Sequence, residues 1–350
     1  MPMVVAASVR ACCAVLLAVA PLLSLAAPQY VAHEIQSPQG QSTYTIALND
    51  HAQVVGRTNA KRQVDEARAF VAGPHTFKST AIFGADLSFA LAINNAGDVV
   101  GHYTPDTDVF ERRAFLQRRG QAPINLFAEG EFWISNAMGI NRHGMVVGAV
   151  EKSGLTDYQA FVWQNGAATL LVNTLGGTYS TANAVNDSGV VVGTATDADG
   201  FEHAFRYENG QMVGLPTLVH RAPRDWAYAV NAAGDVAGAC VLANFHRHAC
   251  VWKDGGVADL GALPDAEWSN AFGINDAGVA VGQSGGEGHS PHAVVFREGQ
   301  VMNLNTLTTL PPGVHLDLAI AINEAGQIVA QGKDAKGLRH SYRLEPVSAH

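Results

Sequence analysis

Gly282-Gln283-Ser284-Gly285-Gly286 has the Gly-x-Ser-x-Gly spacing of a hydrolase nucleophile elbow. That motif needs a strand turning sharply into a helix, which lifts the serine hydroxyl clear of the sheet. Here Gly282 closes a repeated Val-Val-Gly strand, so Ser284 reads as a loop serine. Cys240, His246, His248 and Cys250 have the ligand types of a tetrahedral zinc site. His246, His248 and Cys250 alternate along one strand and share a face, and a hairpin about Phe245 sets Cys240 opposite Cys250. In an oxidising compartment two such cysteines bond to each other, with free thiols and a metal site as the alternatives. Asp197-Ala198-Asp199-Gly200 begins like a calcium loop but lacks the downstream bidentate glutamate. The expectation is no catalytic residue, no metal and no cofactor, with a Cys240–Cys250 disulfide.

A wider set of residues suits recognition rather than bond cleavage. Trp133, Tyr179, Arg224, Asp225, Trp226, Glu267, Trp268, His315 and Asp317 precede or open the first strand of a repeated unit. Lys61, Arg62, Asp106, Asp108, Asp197, Asp199, His246 and His289 lie between second and third strands. Aromatic rings beside carboxylates and arginine stack on and hydrogen-bond to a glycan or peptide. In an enzyme such as a polysaccharide lyase or glycosidase, Asp225, Glu267, Asp317 and His315 would supply the general acid and base. The plainer reading of any one tryptophan is a wedge between sheets.

The elements that must position these residues come from one repeat. Ala/Gly-Ile/Val-Asn followed by Gly and Val-Val-Gly recurs at Asn94, Asn141, Asn186, Asn231 and Asn275, with variants at Asn49 and Asn323; by subtraction they stand 44 to 48 residues apart. Ala52 replaces the turn glycine in the first copy. Further on come Arg68-Ala69-Phe70, Arg113-Ala114-Phe115, Gln159-Ala160-Phe161, His203-Ala204-Phe205, His248-Ala249-Cys250, His292-Ala293-Val294 and His340-Ser341-Tyr342. Asn-x-x-Gly makes a hairpin turn, because the Asn side chain accepts from the backbone two residues on and Gly takes the left-handed conformation. The second and third strands are apolar at even and odd positions alike (Val99 and Val100, Phe161 and Val162), so both faces must be covered.

Four short strands per unit, repeated seven times, predict an all-β, seven-bladed β-propeller of four-stranded blades. The seventh unit ends after its third strand, and a spare strand exists at Tyr30 to Ile35. The N-terminal strand is therefore expected to complete the last blade and close the ring, leaving no open sheet edge. Both sets of recognition residues would then share one face. The chain resembles the HAF-repeat extracellular proteins, named for the triplet seen at His203-Ala204-Phe205, over essentially all of its length after the leader. The resemblance implies export and a repeat architecture, and carries no catalytic residues.

The compartment is read from the first residues. Arg10, an apolar run from Ala11 to Ala20, Pro21, and small residues at Ser24-Leu25-Ala26 predict a signal peptide over 1–26, with 27–350 as a single propeller domain. No later segment is apolar enough to span a bilayer. The expected location is extracellular or periplasmic. With 350 residues, 36 glycines and a net charge of −9, the chain suits many short strands and tight turns and opposes nucleic-acid binding. The expected role is a non-enzymatic binding module for a surface glycan or a protein, with surface assembly as a structural alternative.

Overall fold

The computed structural model describes residues 30–59, 67–105, 111–151, 157–219 and 223–347. The expected signal peptide, residues 1–26, and Lys61, Arg62, Asp106 and Asp108 lie outside them. The described chain is built of 29 strands, with one 3-10 turn at Ile82–Gly84 and one helical turn at Leu304–Leu307. Each repeat is an antiparallel meander in chain order. In unit 4 the strands are Gly176–Val185, Val191–Asp197, Glu202–Glu208 and Gln211–Gly214. Burial is graded across every sheet. The second strand Val146–Glu151 is buried at all positions, since neighbouring sheets cover both its faces. The fourth strand Ala167–Leu170 is mostly exposed.

The core lies between sheets rather than inside any one of them. Val147, Ala160 and Leu171 of unit 3 pack with Ala182, Val191, Ala195, Phe205 and Met212 of unit 4, and the same scheme recurs around the molecule. Phe70, Phe115, Phe161 and Phe205 of the triplets are fully buried, each contributing about 2–3 kcal/mol of apolar burial. The alanine before each phenylalanine has a different task. The N–H groups of Ala69, Ala114, Ala160 and Ala249 donate to the hydroxyls of Ser88, Ser135, Ser180 and Ser269, each in the next unit, at 2.8–3.0 Å. Ser341 plays the triplet's part between units 7 and 1, accepting from Thr45 N–H (3.3 Å) and donating to the Thr43 carbonyl (2.7 Å).

Val-Val-Gly recurs because of one close approach. The first strand bulges between residues such as Ala182 and Ala184. That irregularity drives its backbone against the second strand, and a Cβ on Gly193 would collide with the carbonyl of Thr181. The same collision awaits Gly56, Gly101, Gly148, Gly238 and Gly282. Unit 7 carries Ala330 at this position. Its first strand, His315–Ile322, has a second register shift between Leu316 and Leu318, and the close approach passes to Gly332 beneath the His315 carbonyl.

Each Asn-x-x-Gly turn forms as its residues predict and adds a bond between units. Asn186 Oδ1 accepts from the N–H groups of Ser188 and Val190, while its backbone carbonyl accepts from Gly189. Its Nδ2 donates to the carbonyl of Asn231, one unit on, at 3.0 Å. The circuit runs through Asn49, Asn94, Asn141, Asn186, Asn231, Asn275 and Asn323, whose Nδ2 returns to the Asn49 carbonyl at 3.1 Å. At the chain ends Tyr30–Glu34 pairs antiparallel with Arg339–Pro346, from Tyr30 opposite Pro346 to Glu34 opposite Tyr342. Outside it lies a short parallel strand, Thr308–Thr309, which makes this sheet five-stranded.

Candidate functional site

The two ends of the sheets differ in character. At the Asn-turn end, residues from all seven units wall a cavity of about 290 Å³. Asp50, Asp187, Asp276 and Glu324 point into this region, but their oxygens are occupied by the turns. Asp187 accepts from Arg142 N–H, Asp276 from Ala232 N–H, Glu324 from Asp276 N–H, and Asp50 from Glu324 N–H. Burial, then the nearby Asp276 and Asp50, raise the Glu324 carboxyl above its ordinary range. This acidic ring ties unit to unit.

The opposite end carries the recognition residues. Trp268, opening its first strand, pairs with Gly285 at the end of the second, so the segments entering first strands and the loops leaving second strands do share an end. There the guanidinium of Arg247 lies 5.8 Å from the ring centres of both Trp226 and Trp268, joining units 5 and 6. Arg247 Nε is buried without a hydrogen-bond partner, so this cation is held mainly by the two rings. The Trp268 indole also packs on Gly285, where a Cβ would meet its ring at 2.7 Å.

Gly285 is in turn a wall of a groove running towards unit 7. Two adjoining cavities of about 570 Å³ each share His289, Ser290 and His292. The first is also lined by Asp265, the second by His315, Asp317 and Asp334. His292 and His315 meet edge to face at 4.8 Å, and His315 Nε2 bonds the Pro291 carbonyl at 2.9 Å. Burial, and then the neighbouring His315, hold His292 below the usual imidazole range, which keeps it neutral. Glu267 is exposed at the groove's edge, its N–H donating to the Gly285 carbonyl.

The structure thus gathers Trp226, Glu267, Trp268, His315 and Asp317 into one sector, units 5 to 7. Trp133 stands apart at the head of unit 3, 42% exposed. Tyr179 packs against Tyr158 in the neighbourhood of units 3 and 4, at 6.1 Å. Arg224 is exposed, and its backbone forms an isolated parallel β-bridge with Glu202 of the preceding unit. Arg247 was missed from the sequence. No spacing rule relates residue 247 to 226 and 268, and only the packing of sheet on sheet brings them together.

Asp225 and Asp317 occupy a position with a repeat-wide meaning. Six residues before each asparagine stand Thr43, Ser88, Ser135, Ser180, Asp225, Ser269 and Asp317, the place of the serine that receives the triplet N–H. Asp317 is neutralised by the fork of Arg339, at 3.0 and 3.1 Å. Asp225 is 2% exposed, its Oδ2 has no hydrogen-bond partner, and burial pushes its carboxyl up to about 6, against a smaller opposing pull from His203.

The remaining motifs find structural work. Ser284 is buried inside the strand Ala280–Gly285 rather than in a loop; it donates to the Trp268 carbonyl and accepts from Leu263 N–H. Cys240 and Cys250 are joined with Cα atoms 5.9 Å apart, but diagonally, since the register sets Cys240 opposite His248 and Cys250 opposite Gly238. His248 turns to Asp259 at 2.9 Å, and His246 lies before the strand Arg247–Lys253, so the four residues do not converge. Asp197 makes a turn of its own, accepting from Asp199 and Phe201 N–H groups and bonding His203 at 2.8 Å, which holds its carboxyl low. No group of three metal-ligating side chains occurs among the described residues.

No family model and no curated protein sequence matches the chain. Among solved structures it is similar to the β-propeller domain of the trilobed protease from Pyrococcus furiosus, at 11% identity over 88% of this chain and 96% of that one, with a TM-score of 0.58. A puromycin hydrolase matches at 13% identity over 90% of this chain and 54% of its own (TM-score 0.56). TolB from Acinetobacter baumannii matches at 11% over 85% and 64% (TM-score 0.50). The chain therefore spans about half of the hydrolase and under two thirds of TolB. What is shared at these identities is the fold: the chain is a β-propeller.

Proposed function

We propose that this chain is an exported binding protein, a seven-bladed propeller closed by its N-terminal strand, that takes a cell-surface or envelope glycan on its loop face. The pairing of Tyr30–Glu34 with the last strand and the return of the asparagine circuit from Asn323 to Asn49 support the closed ring. Export rests on the leader sequence, and a place among the HAF-repeat extracellular proteins rests on the triplet and turn motif.

The observation that carries the binding role is the Trp226–Arg247–Trp268 stack, whose Trp268 indole packs on Gly285, a wall of the histidine-lined groove. Indole faces stack on the apolar faces of sugar rings, while the His292 imidazole and the Asp265 carboxylate bond hydroxyls. The acid–base alternative has weaker support. Asp225 is buried away from any polymer, Asp317 is bound by Arg339, and Glu267 belongs to a third sheet. The test is titration of the purified chain with a panel of envelope oligosaccharides, with product analysis on the same samples. Binding by at least one, weakened about tenfold by Trp268→Ala, is the expected result. Unchanged affinity in Trp268→Ala and Arg247→Ala would remove this site, and release of shorter oligosaccharides would restore the enzymatic reading.

A further inference from the structure

A cavity of about 750 Å³ lies on the other side of the final hairpin from that groove, where the N-terminal strand and that hairpin meet unit 1. Its walls come from the N-terminal strand and the turn after it (Glu34, Gln36, Ser37, Gln41), from unit 1 (Tyr44, Asn59), and from the final hairpin (Arg339, His340). The charges around it are already satisfied. Glu34 bonds His340 Nδ1 at 2.7 Å and Gln36 Nε2 at 2.8 Å, and the Arg339 fork is taken by Asp317. What the walls offer a ligand is neutral: amides, hydroxyls and one aromatic ring. Asn59 Oδ1 is buried without a partner, an acceptor in need of a donor.

The aromatic ring is braced from behind. Arg57 lies 4.8 Å from the Tyr44 ring centre and 5.0 Å from that of Phe89, and Phe89 stacks on His102 at 4.7 Å and 24°. Burial, helped by Arg112 and Arg57, drives His102 down to about 3, so the stack ends in a neutral imidazole at any ordinary pH. A four-member stack running through units 1 and 2 fixes the plane of Tyr44 at the cavity wall. A rigid ring beside amides and hydroxyls, with every nearby charge internally paired, matches an uncharged pyranose: stacking for its apolar face, amides for its hydroxyls.

We propose that this cavity is a saccharide site, separate from the groove of units 5 to 7, which binds a neutral sugar ring and clamps the two ends of the chain together. A ligand touching both ends and unit 1 binds only the folded molecule and must raise its melting temperature with concentration. The test uses cellohexaose, xylohexaose, maltohexaose and chitohexaose as probes, with hexagalacturonate as the charged control. The full chain and the variants Tyr44→Ala, Gln41→Ala and Trp268→Ala are compared by calorimetric titration and melting. The expected result is that a neutral hexasaccharide shows a binding event that persists in Trp268→Ala, where the groove of units 5 to 7 is disabled, and that Tyr44→Ala and the milder Gln41→Ala each weaken this event by about tenfold or more. Gln41 belongs to a surface turn, so its variant keeps the test valid if Tyr44→Ala fails to fold. Three outcomes overturn the proposal: no neutral probe binds, the charged probe binds equally well, or binding survives Gln41→Ala and is lost in Trp268→Ala. The last would place the sugar in the other groove and leave that reading standing.

Discussion

The turn end and the loop end of this propeller use the same seven repeats in opposite ways. At the turn end every unit has the same asparagine, each accepting within its own turn and donating to the next. At the loop end, the position that holds a bonding serine or threonine in five units holds an aspartate in two. Residues bound to both their own turn and their neighbour's backbone have no capacity left for a ligand. Departures from the repeat mark where side chains have been released from, or charged against, that duty. Four sets of substitutions bear on this contrast.

The largest effect belongs to the close approach that makes Val-Val-Gly repeat. Gly193→Ala puts a methyl group into the Thr181 carbonyl, and backbone on both sides resists the shift. A loss of about 3 kcal/mol or more is expected in denaturant unfolding. Ala330→Gly at the equivalent place in unit 7 loses no more than about 1 kcal/mol, the ordinary cost of glycine in a strand. Equal losses would mean that the second register shift of unit 7 does not relieve the contact.

Asp225 comes next, because its burial sets stability against pH. The carboxyl is raised from 3.8 to about 6 in the folded chain, so the fold favours its neutral form. Below about pH 4 both states are protonated and nothing is lost. Stability falls as pH rises from about 4 to about 6, by up to about 3 kcal/mol at neutral pH. Asp225→Ser, which restores the residue of the neighbouring units, should gain most of that at pH 7 and little at pH 4. Asp317→Ser should instead lose stability at pH 7, because it strips Arg339 of its bidentate partner. Melting curves from pH 4 to 8 separate the two, and a gain in both variants would deny that arginine distinguishes them.

Asn186→Asp separates the two duties of the ring asparagine. The carboxylate still accepts from Ser188 and Val190, so the turn survives, but the inter-unit bond to the Asn231 carbonyl is lost, leaving that oxygen with only the Gly234 N–H of its own turn. A loss of about 1–2 kcal/mol is expected, to be read from the unfolding midpoint, with Asn186→Ala losing more. If the aspartate variant is as stable as wild type, the circuit contributes nothing beyond the turns.

That double duty marks where sequence reading stops. The turn was legible because Asn-x-x-Gly is local, and so were the four strands per unit, from period and from the two-sided apolar pattern of Val99 and Val100. The inter-unit bond was not, although a hint existed: all seven copies use Asn, whereas Asp serves a turn equally well and only lacks the donor. The serine that receives the triplet N–H was overlooked for the same reason. Trp226 and Trp268 were legible as departures from the repeat. Arg247 and Arg57, which hold aromatic rings of successive units, were not, since they meet those rings only after sheet packs on sheet.

The smallest effect tests whether turn-end regularity reaches into its one exception. Six turns place glycine at φ of 74° to 87°, at Gly97, Gly144, Gly189, Gly234, Gly278 and Gly326; the first turn places Ala52 there at φ 57°. An L residue in that region costs about 1–2 kcal/mol, and glycine's greater freedom in the unfolded chain offsets about half of it. Ala52→Gly should therefore gain somewhat under about 1 kcal/mol, visible as a small rise in the unfolding midpoint. Ala52 is buried, and its carbonyl accepts from Arg343 Nη1 at 3.3 Å, in the strand that pairs with the N-terminus. A loss on substitution would show that the methyl packs at the seam and outweighs the strain, making the first turn a part of the chain-end junction rather than a worn copy of the repeat.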